Sequence, residues 1–169
     1  MVDCKPSETP MMMNHKLFIG NGAKNADQNR YQRIVGKLIY LSHTQPDIVY
    51  AVGVVSQSMH QPQEAHMNAF LRILRYFKET SGHGVLFEPN EHLNIQVYRD
   101  ADWAGDKENM RSTSGYFSPV GGNLVTWRSK KQKVVSLSSA EAEFRGKARG
   151  LAEALWIRKL IYEVGFAPK

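Results

Sequence analysis

The sequence predicts an α+β protein: a lobe of about three helices, then a mostly antiparallel sheet with one long helix packed on it. Three observations lead there. Apolar residues recur at helical spacing between residues 28 and 82. From residue 83 onward the period shortens to strand-like alternation. Near the C-terminus, Ser138 and Glu141 stand in capping-box spacing ahead of a long apolar-striped run.

Residues 1–27 read as a polar, loop-like lead broken by Pro6, Pro10, Gly20 and Gly22. Tyr31, Ile34, Val35, Leu38 and Ile39 mark the apolar side of a first helix. Pro46 suits the first turn of a second, whose stripe is Ile48, Val49, Val52 and Val55. Pro62 opens a third, with Phe70, Ile73, Leu74 and Phe77 on one side and Gly82 placed as a C-terminal cap. Residues 85–87 read as a short edge strand. Residues 94–99, 114–118 and 124–128 are expected to form adjacent antiparallel strands, the last two joined across Gly121-Gly122-Asn123. In the final helix, Phe144, Ala148, Leu151, Ala152 and Leu155 are expected to form the packing face. Trp103, Trp127 and Trp156 read as core residues. There is no internal repeat and no low-complexity segment.

Composition narrows the function classes. The 169 residues, 42% hydrophobic and 22% charged, are globular and not tail-like. A single cysteine, Cys4, excludes a disulfide framework and a cysteine-rich zinc site, and reads as intracellular. The six histidines show no metal-ligand spacing. No apolar run is long enough to span a membrane, and the N-terminus lacks a secretory pattern. A net charge of +6 suits an anionic partner such as nucleic acid, and equally suits simple solubility.

The sharpest chemistry lies in two acidic clusters. Tyr98-Arg99-Asp100-Ala101-Asp102-Trp103 closes a predicted strand, and Ser138-Ser139-Ala140-Glu141-Ala142-Glu143 opens the long helix. Carboxylates from a strand end and a helix start can converge on Mg²⁺, which takes hard oxygen ligands. The same residues also read as Glu141 capping Ser138 and as Asp102 and Asp106 in turns. Arg128, Lys130, Lys131 and Lys133, with Arg145, Lys147 and Arg149 on the helix, could hold phosphates or form a solvated surface.

The strings DADWAGD, RSTSGY, GGNLVTWRSKKQ and SLSSAEAEF, in that order, resemble the ribonuclease H domain of copia-type retrotransposon Pol polyproteins. Upstream, RYQRIVGKLIYLSHTQPDIVYAV and LRILRYFKETSGHGVLF resemble the segment that connects the reverse transcriptase to that domain, and DCKPSETPM is similar to the stretch after the polymerase core. The resemblance implies a helical connection segment over 28–82 and an incomplete ribonuclease H-like fold over 83–169. It also implies hydrolysis of the RNA strand of an RNA–DNA hybrid by two Mg²⁺ ions. Asp100, expected to end its strand, and Glu143 match the family's first two metal ligands; Asp102 is the second choice for the first, and Glu141 falls outside the site.

The family's third and fourth carboxylates lie beyond the long helix, past Lys169. The expectation is therefore a C-terminally truncated fragment that binds Mg²⁺ weakly or not at all and is inactive. The alternative is a non-catalytic nucleic-acid-binding remnant or a transposon relic. The implied partners are an RNA–DNA hybrid, contacted through Arg128, Lys130, Lys131, Lys133 and Arg145, and the rest of the reverse transcriptase polyprotein. Arg99 departs from the family's small polar residue and puts a cation beside Asp100. Pro119 should cost a ladder donor, and Gly146 and Gly150 about 1 kcal/mol each of helix propensity.

Overall fold

Asp27 accepts a hydrogen bond from the Arg30 backbone N–H and so opens α1, Gln28–Leu41. In the computed structural model, which describes residues 4–13, 15, 17, 23–106 and 109–166, the chain forms two compact units, Met1–Gly84 and Val85–Lys169.

The first unit is helical. After α1 come a single 3₁₀ turn, Pro46–Ile48, then α2, Val49–Ser56, and α3, Glu64–Glu79. Tyr31, Val35 and Leu38 of α1 pack with Ile48, Ala51, Val52 and Val55 and with Phe70 and Ile73 of α3. The expected stripes supply this core, while Ile39 faces outward at the rim. Tyr31 buries its ring and still satisfies its hydroxyl, which donates to the Val55 carbonyl at 2.7 Å. Gly82, at φ +89°, turns the chain after α3.

The described part of the lead is tied down. Met11 joins the core, Arg72 donates to Thr9, and the Ser7 N–H donates to the Arg75 carbonyl. Gly20 and Gly22, expected as breakers, lie outside the described residues.

One helix start in this unit is expected to be sensitive to acid. His66 is 1% exposed, and its Nδ1 accepts the Gln63 backbone N–H at 2.9 Å. That bond requires Nδ1 without a proton. Burial holds the imidazole below the usual histidine range, against a smaller upward pull from the Leu17 backbone. Because the folded-state pKa lies below the unfolded one, the contribution is fully present above about pH 6.5 and is lost as pH falls from there toward the folded-state value. Urea midpoints should therefore drop between neutral pH and pH ~5. His66→Gln keeps an acceptor without the titration and should flatten the curve; parallel curves for the two proteins would show that His66 is not the group responsible.

The second unit is a three-stranded antiparallel sheet in the order β1-β2-β3, with β1 Tyr98–Asp106, β2 Arg111–Val120 and β3 Asn123–Lys131, followed by α4, Ser139–Glu163. Gly121 and Gly122, at φ +58° and +82°, form the two-residue β2–β3 turn, whose backbone twist matches the strands it joins. A β-carbon on Gly121 would also stand 2.5 Å from the His92 carbonyl oxygen. Pro119 falls where the register shifts: Ser118 pairs with Thr126 and Pro119 with Leu124, so Val125 is the extra residue. The missing donor thus lies at a bulge, and the Pro119 carbonyl accepts the Gln96 N–H.

The structure corrects the sequence reading at four places. Residues 85–87 form no strand; Leu86 and Phe87 are exposed, and the next residue is held by a side chain, since Asn123 bonds both the N–H and the carbonyl of Glu88. β1 lies further along the chain than expected. It starts at Tyr98 and not at Asn94, Ile95 making only an isolated bridge to Val120. It does not stop at Asp100 but continues to Asp106, because the ten-residue β2 offers partners as far as Arg111 and an edge strand tolerates exposed acids. Phe144, Leu151 and Leu155 do not face the sheet; Ala142, Gly146, Gly150 and Ile157 do. Trp103 and Trp156 are about half exposed and so are not core residues.

The glycines explain the turned helix. A β-carbon on Gly146 would lie 3.5 Å from the Ala101 Cβ, and one on Gly150 only 3.1 Å from Val97 Cγ1. Small residues let α4 approach β1 at a distance that Phe144 or Leu151 would prevent. Their propensity cost is therefore offset by close packing.

Candidate nucleic-acid interface and carboxylates

α4 begins at Ser138, whose Oγ accepts the Glu141 N–H at 3.2 Å. Glu141 reaches back to the Leu137 N–H at 2.8 Å and forward to Arg145 at 2.7 Å. The Leu137 bond, then Arg145, hold its carboxyl below the usual range. Glu141 is thus occupied at the helix start, the role its spacing suggests.

Gln132 anchors that start from beneath. It is 1% exposed. Its Nε2 donates to Ser114 Oγ at 2.7 Å and to the Ala142 carbonyl at 2.9 Å, and its Oε1 accepts from Ser136 Oγ at 3.0 Å. Its backbone N–H bonds the Ser112 carbonyl at 2.7 Å. One side chain thereby joins β2, the β3–α4 connection and α4. Sequence reasoning missed this residue, because an isolated glutamine in a polar stretch carries no local signal of burial.

Strand alternation decides where the acids point. Ala101 lies against Gly146, and Val97 and Arg99 lie against Gly150, so these odd-numbered side chains face α4. Asp100 and Asp102 fall on the other face of β1. Asp100 accepts the neighbouring Ala101 N–H at 2.9 Å, and Asp102 Oδ2 would lie 3.4 Å from a β-carbon on Gly105. Arg99 is the β1 residue that reaches the second turn of α4, donating to the Glu143 carbonyl at 3.4 Å. The Glu143 side chain is exposed.

The basic residues divide into two groups. Lys131 is bonded to Asp106 at 2.6 Å, and Arg145 is engaged by Glu141. Burial pushes the Asp106 carboxyl up, but Lys131 and Asn109 outweigh it and hold the carboxyl below the usual range. Arg128 and Lys130 alternate with Lys131 and so share the α4 side of the sheet, opposite Tyr116 and Ser114 in register. There Tyr116 donates to Glu153 of α4 at 2.9 Å; burial, then that carboxylate, raise the phenol above its usual range. Lys130 and Lys133 are exposed. Arg99 on β1 and Arg128 and Lys130 on β3 thus share the α4 side of the sheet, on its two edge strands.

A two-ion magnesium centre needs several carboxylates at one point. Among the described residues no group of three or more His, Cys, Asp or Glu side chains is placed to hold a metal. With Asp100 on one face of the sheet and Glu143 above the other, the described residues alone do not fit such a centre.

The chain is 46% identical over 165 residues to the retrovirus-related Pol polyprotein from transposon RE1 of Arabidopsis thaliana, a match that covers 98% of this chain. The corresponding polyprotein from transposon RE2 of the same plant is 44% identical over 165 residues. A protein named as secreted RxLR effector 161 of Plasmopara viticola is 44% identical over 128 residues, which make up 75% of this chain and 90% of that protein. Over nearly its whole length the chain is similar to retrovirus-related Pol polyproteins from transposons. It spans 11% of the length of the RE1 and RE2 polyproteins. No protein-family model matches the chain, and no solved structure matches it. No helix among its described residues is long and apolar enough to cross a membrane.

Proposed function

We propose that the chain is the connection lobe and the first part of a ribonuclease H-like domain of a copia-type Pol polyprotein. In the intact polyprotein this domain would hydrolyse the RNA strand of RNA–DNA hybrids. The observation that carries the reading is the succession of antiparallel β1, β2 and β3 and then the 25-residue α4, with Asp100 in β1 and Glu143 in the second turn of α4, where the family's first two metal ligands are matched.

The segment's own contribution is the sheet, the cations on its α4 side and these two carboxylates. Magnesium would require further carboxylates and a different presentation of Asp100, so the 169-residue polypeptide alone is expected to retain it weakly. Hybrid binding would fall to Arg128, Lys130 and Lys133, with Lys131 and Arg145 contributing less because each already neutralises a carboxylate of its own unit.

The test compares the 169-residue chain with the same chain extended by the downstream part of a Pol relative. Cleavage of a labelled RNA–DNA hybrid with Mg²⁺ should be negligible for the first and restored in the second. It should be lost again with Asp100→Asn or Glu143→Gln. Hybrid binding by the short chain should weaken with salt, its log affinity falling by about 0.9 per phosphate neutralised for each tenfold rise. Robust Mg²⁺-dependent cleavage by the short chain would overturn the inactive reading. An extended protein indifferent to both substitutions would overturn the ligand assignment, and salt-indifferent binding would remove the basic residues as the contact.

A further inference from the structure

The two faces of α1 differ in chemistry. Tyr31, Val35 and Leu38 are buried in the core of the helical unit. Arg30, Arg33, Lys37 and Tyr40 stand on the far side, all exposed, Tyr40 to 80%. At 3.6 residues per turn these four side chains fall within an arc of about 80°, and Arg30 to Lys37 covers roughly 10 Å of helix. Gly36 adjoins them, with nothing within 4 Å of where its β-carbon would stand, so the helix backbone is open to an approaching ligand there.

The cations of this face are unneutralised. None of the 14 residues of α1 is acidic. Asp27, the acid at its start, is engaged as the N-cap and accepts the Arg30 N–H at 2.9 Å. Among the described residues no carboxylate is ion-paired with Arg30, Arg33 or Lys37, whereas Lys24 of the same unit is paired with Glu64 at 2.7 Å. The placement also runs against helix electrostatics. Arg30 lies in the first turn, at the positive end of the helix dipole, and the last turn has no basic residue. Arg30 with Arg33, and Arg33 with Lys37, are like-charged neighbours three and four residues apart, which destabilises a helix. A polyanion lying across this face would relieve both repulsions.

We propose that this face of α1 binds the sugar–phosphate backbone of nucleic acid, as a contact separate from the cations of the sheet unit. Arg30 and Arg33 can each take a phosphate with two parallel N–H donors, Lys37 adds a point charge one turn on, and the Tyr40 hydroxyl adds a donor. Contacts of this kind carry no base sequence. An anionic membrane fits less well: a helix that lies on a membrane inserts its apolar face, and that of α1 is already in the core. The Pol reading enters only in the choice of an RNA–DNA hybrid as probe.

The experiment measures binding of a labelled RNA–DNA hybrid to the full 169-residue chain over a salt series without Mg²⁺. Arg30→Gln, Arg33→Gln and Lys37→Gln together should lower the slope of log affinity against log salt by about 0.9 per cation removed, and weaken binding roughly tenfold or more at ~0.1 M salt. Arg33→Gln alone should remove about 0.9 of the slope. Arg30→Lys with Arg33→Lys keeps the charge and should keep the slope. Lys24→Gln removes a charge that Glu64 already neutralises and should leave the slope unchanged. The three side chains are exposed and repel one another, so the melting temperature of the triple variant should hold or rise, which separates lost binding from lost folding. A triple variant with the wild-type slope would overturn the proposal; if Arg128→Gln, Lys130→Gln and Lys133→Gln then weaken binding, the sheet-unit contact stands without it. A slope lost with the α1 substitutions and unmoved by those on the sheet unit would support α1 and remove the sheet-unit contact. An equal loss from Lys24→Gln would overturn the proposal in favour of net charge. Tighter binding to phosphatidylserine vesicles than to the hybrid, through the same three residues, would overturn it in favour of a membrane.

Discussion

Gln132→Leu is expected to lower the stability of the sheet unit by about 3 kcal/mol, since leaving a buried polar group without its partner costs about 1–3 kcal/mol. Leucine matches glutamine in bulk but removes the donor to Ser114 Oγ and the Ala142 carbonyl and the acceptor for Ser136 Oγ. The loss stays below three full penalties, because the serine hydroxyls can rotate and the Ala142 carbonyl keeps its place in the helix ladder. Two readouts separate this effect from general loosening. The urea midpoint should fall, and amide exchange should accelerate first in the opening turns of α4, before β2 and β3. Gln132→Glu keeps the shape and, at a pH where the acid is protonated, one acceptor and a single O–H donor in place of two N–H donors, and should there fall between wild type and leucine. A change under about 0.5 kcal/mol for Gln132→Leu, the size of an ordinary surface substitution, would show that these polar groups find other partners.

Ile73→Ala is expected to cost the helical unit about 3 kcal/mol, within the 2–5 kcal/mol range for a large-to-alanine core truncation. Ile73 is fully buried, in one cluster with Tyr31, Val35, Leu38, Val52, Val55 and Phe70. Helices from three directions converge on it, so no single side chain can move to fill the space. Amide exchange within α1 and α3 should report the loss. Met13→Ala is the matched control: Met13 is 98% exposed and its truncation should change nothing measurable. Equal effects from the two would mean that the packing described for this unit is wrong.

The helical unit was readable because its signals are local and agree with one another. Tyr31, Val35 and Leu38 lie one turn apart, and those residues are the ones found buried. The sheet was readable in part. Gly121-Gly122 specifies its turn and therefore the register of β2 on β3. The extent of β1 was not, because its alternation of small, acidic and aromatic residues says little about where pairing ends. That limit is set by the length of β2, a property of the partner strand.

At the candidate site, Ser138 and Glu141 were legible as a helix start, since a cap is a contact between residues three apart. The engagement of Lys131 by Asp106 was not, because those residues are 25 positions apart and meet only when β1, β2 and β3 are aligned. The same holds for Gln132, whose partners lie on β2, in the β3–α4 connection and on α4.

The clearest division concerns α4. Its length, its cap and the presence of an apolar stripe are written in consecutive residues. Which stripe meets the sheet is not, because the helix has two: one of alanine and glycine, one of phenylalanine and leucine. Hydrophobicity favours the second; the structure selects the first, because the side chains of Val97 and Ala101 admit only residues without bulk at that distance, as the 3.1 Å approach at Gly150 shows. Strand pleat likewise turns Arg99 toward Glu143 and Asp100 away from it. Helix and strand formation follow from neighbours in the chain; the side each residue presents depends on what lies across the gap, and that is settled only when the elements pack.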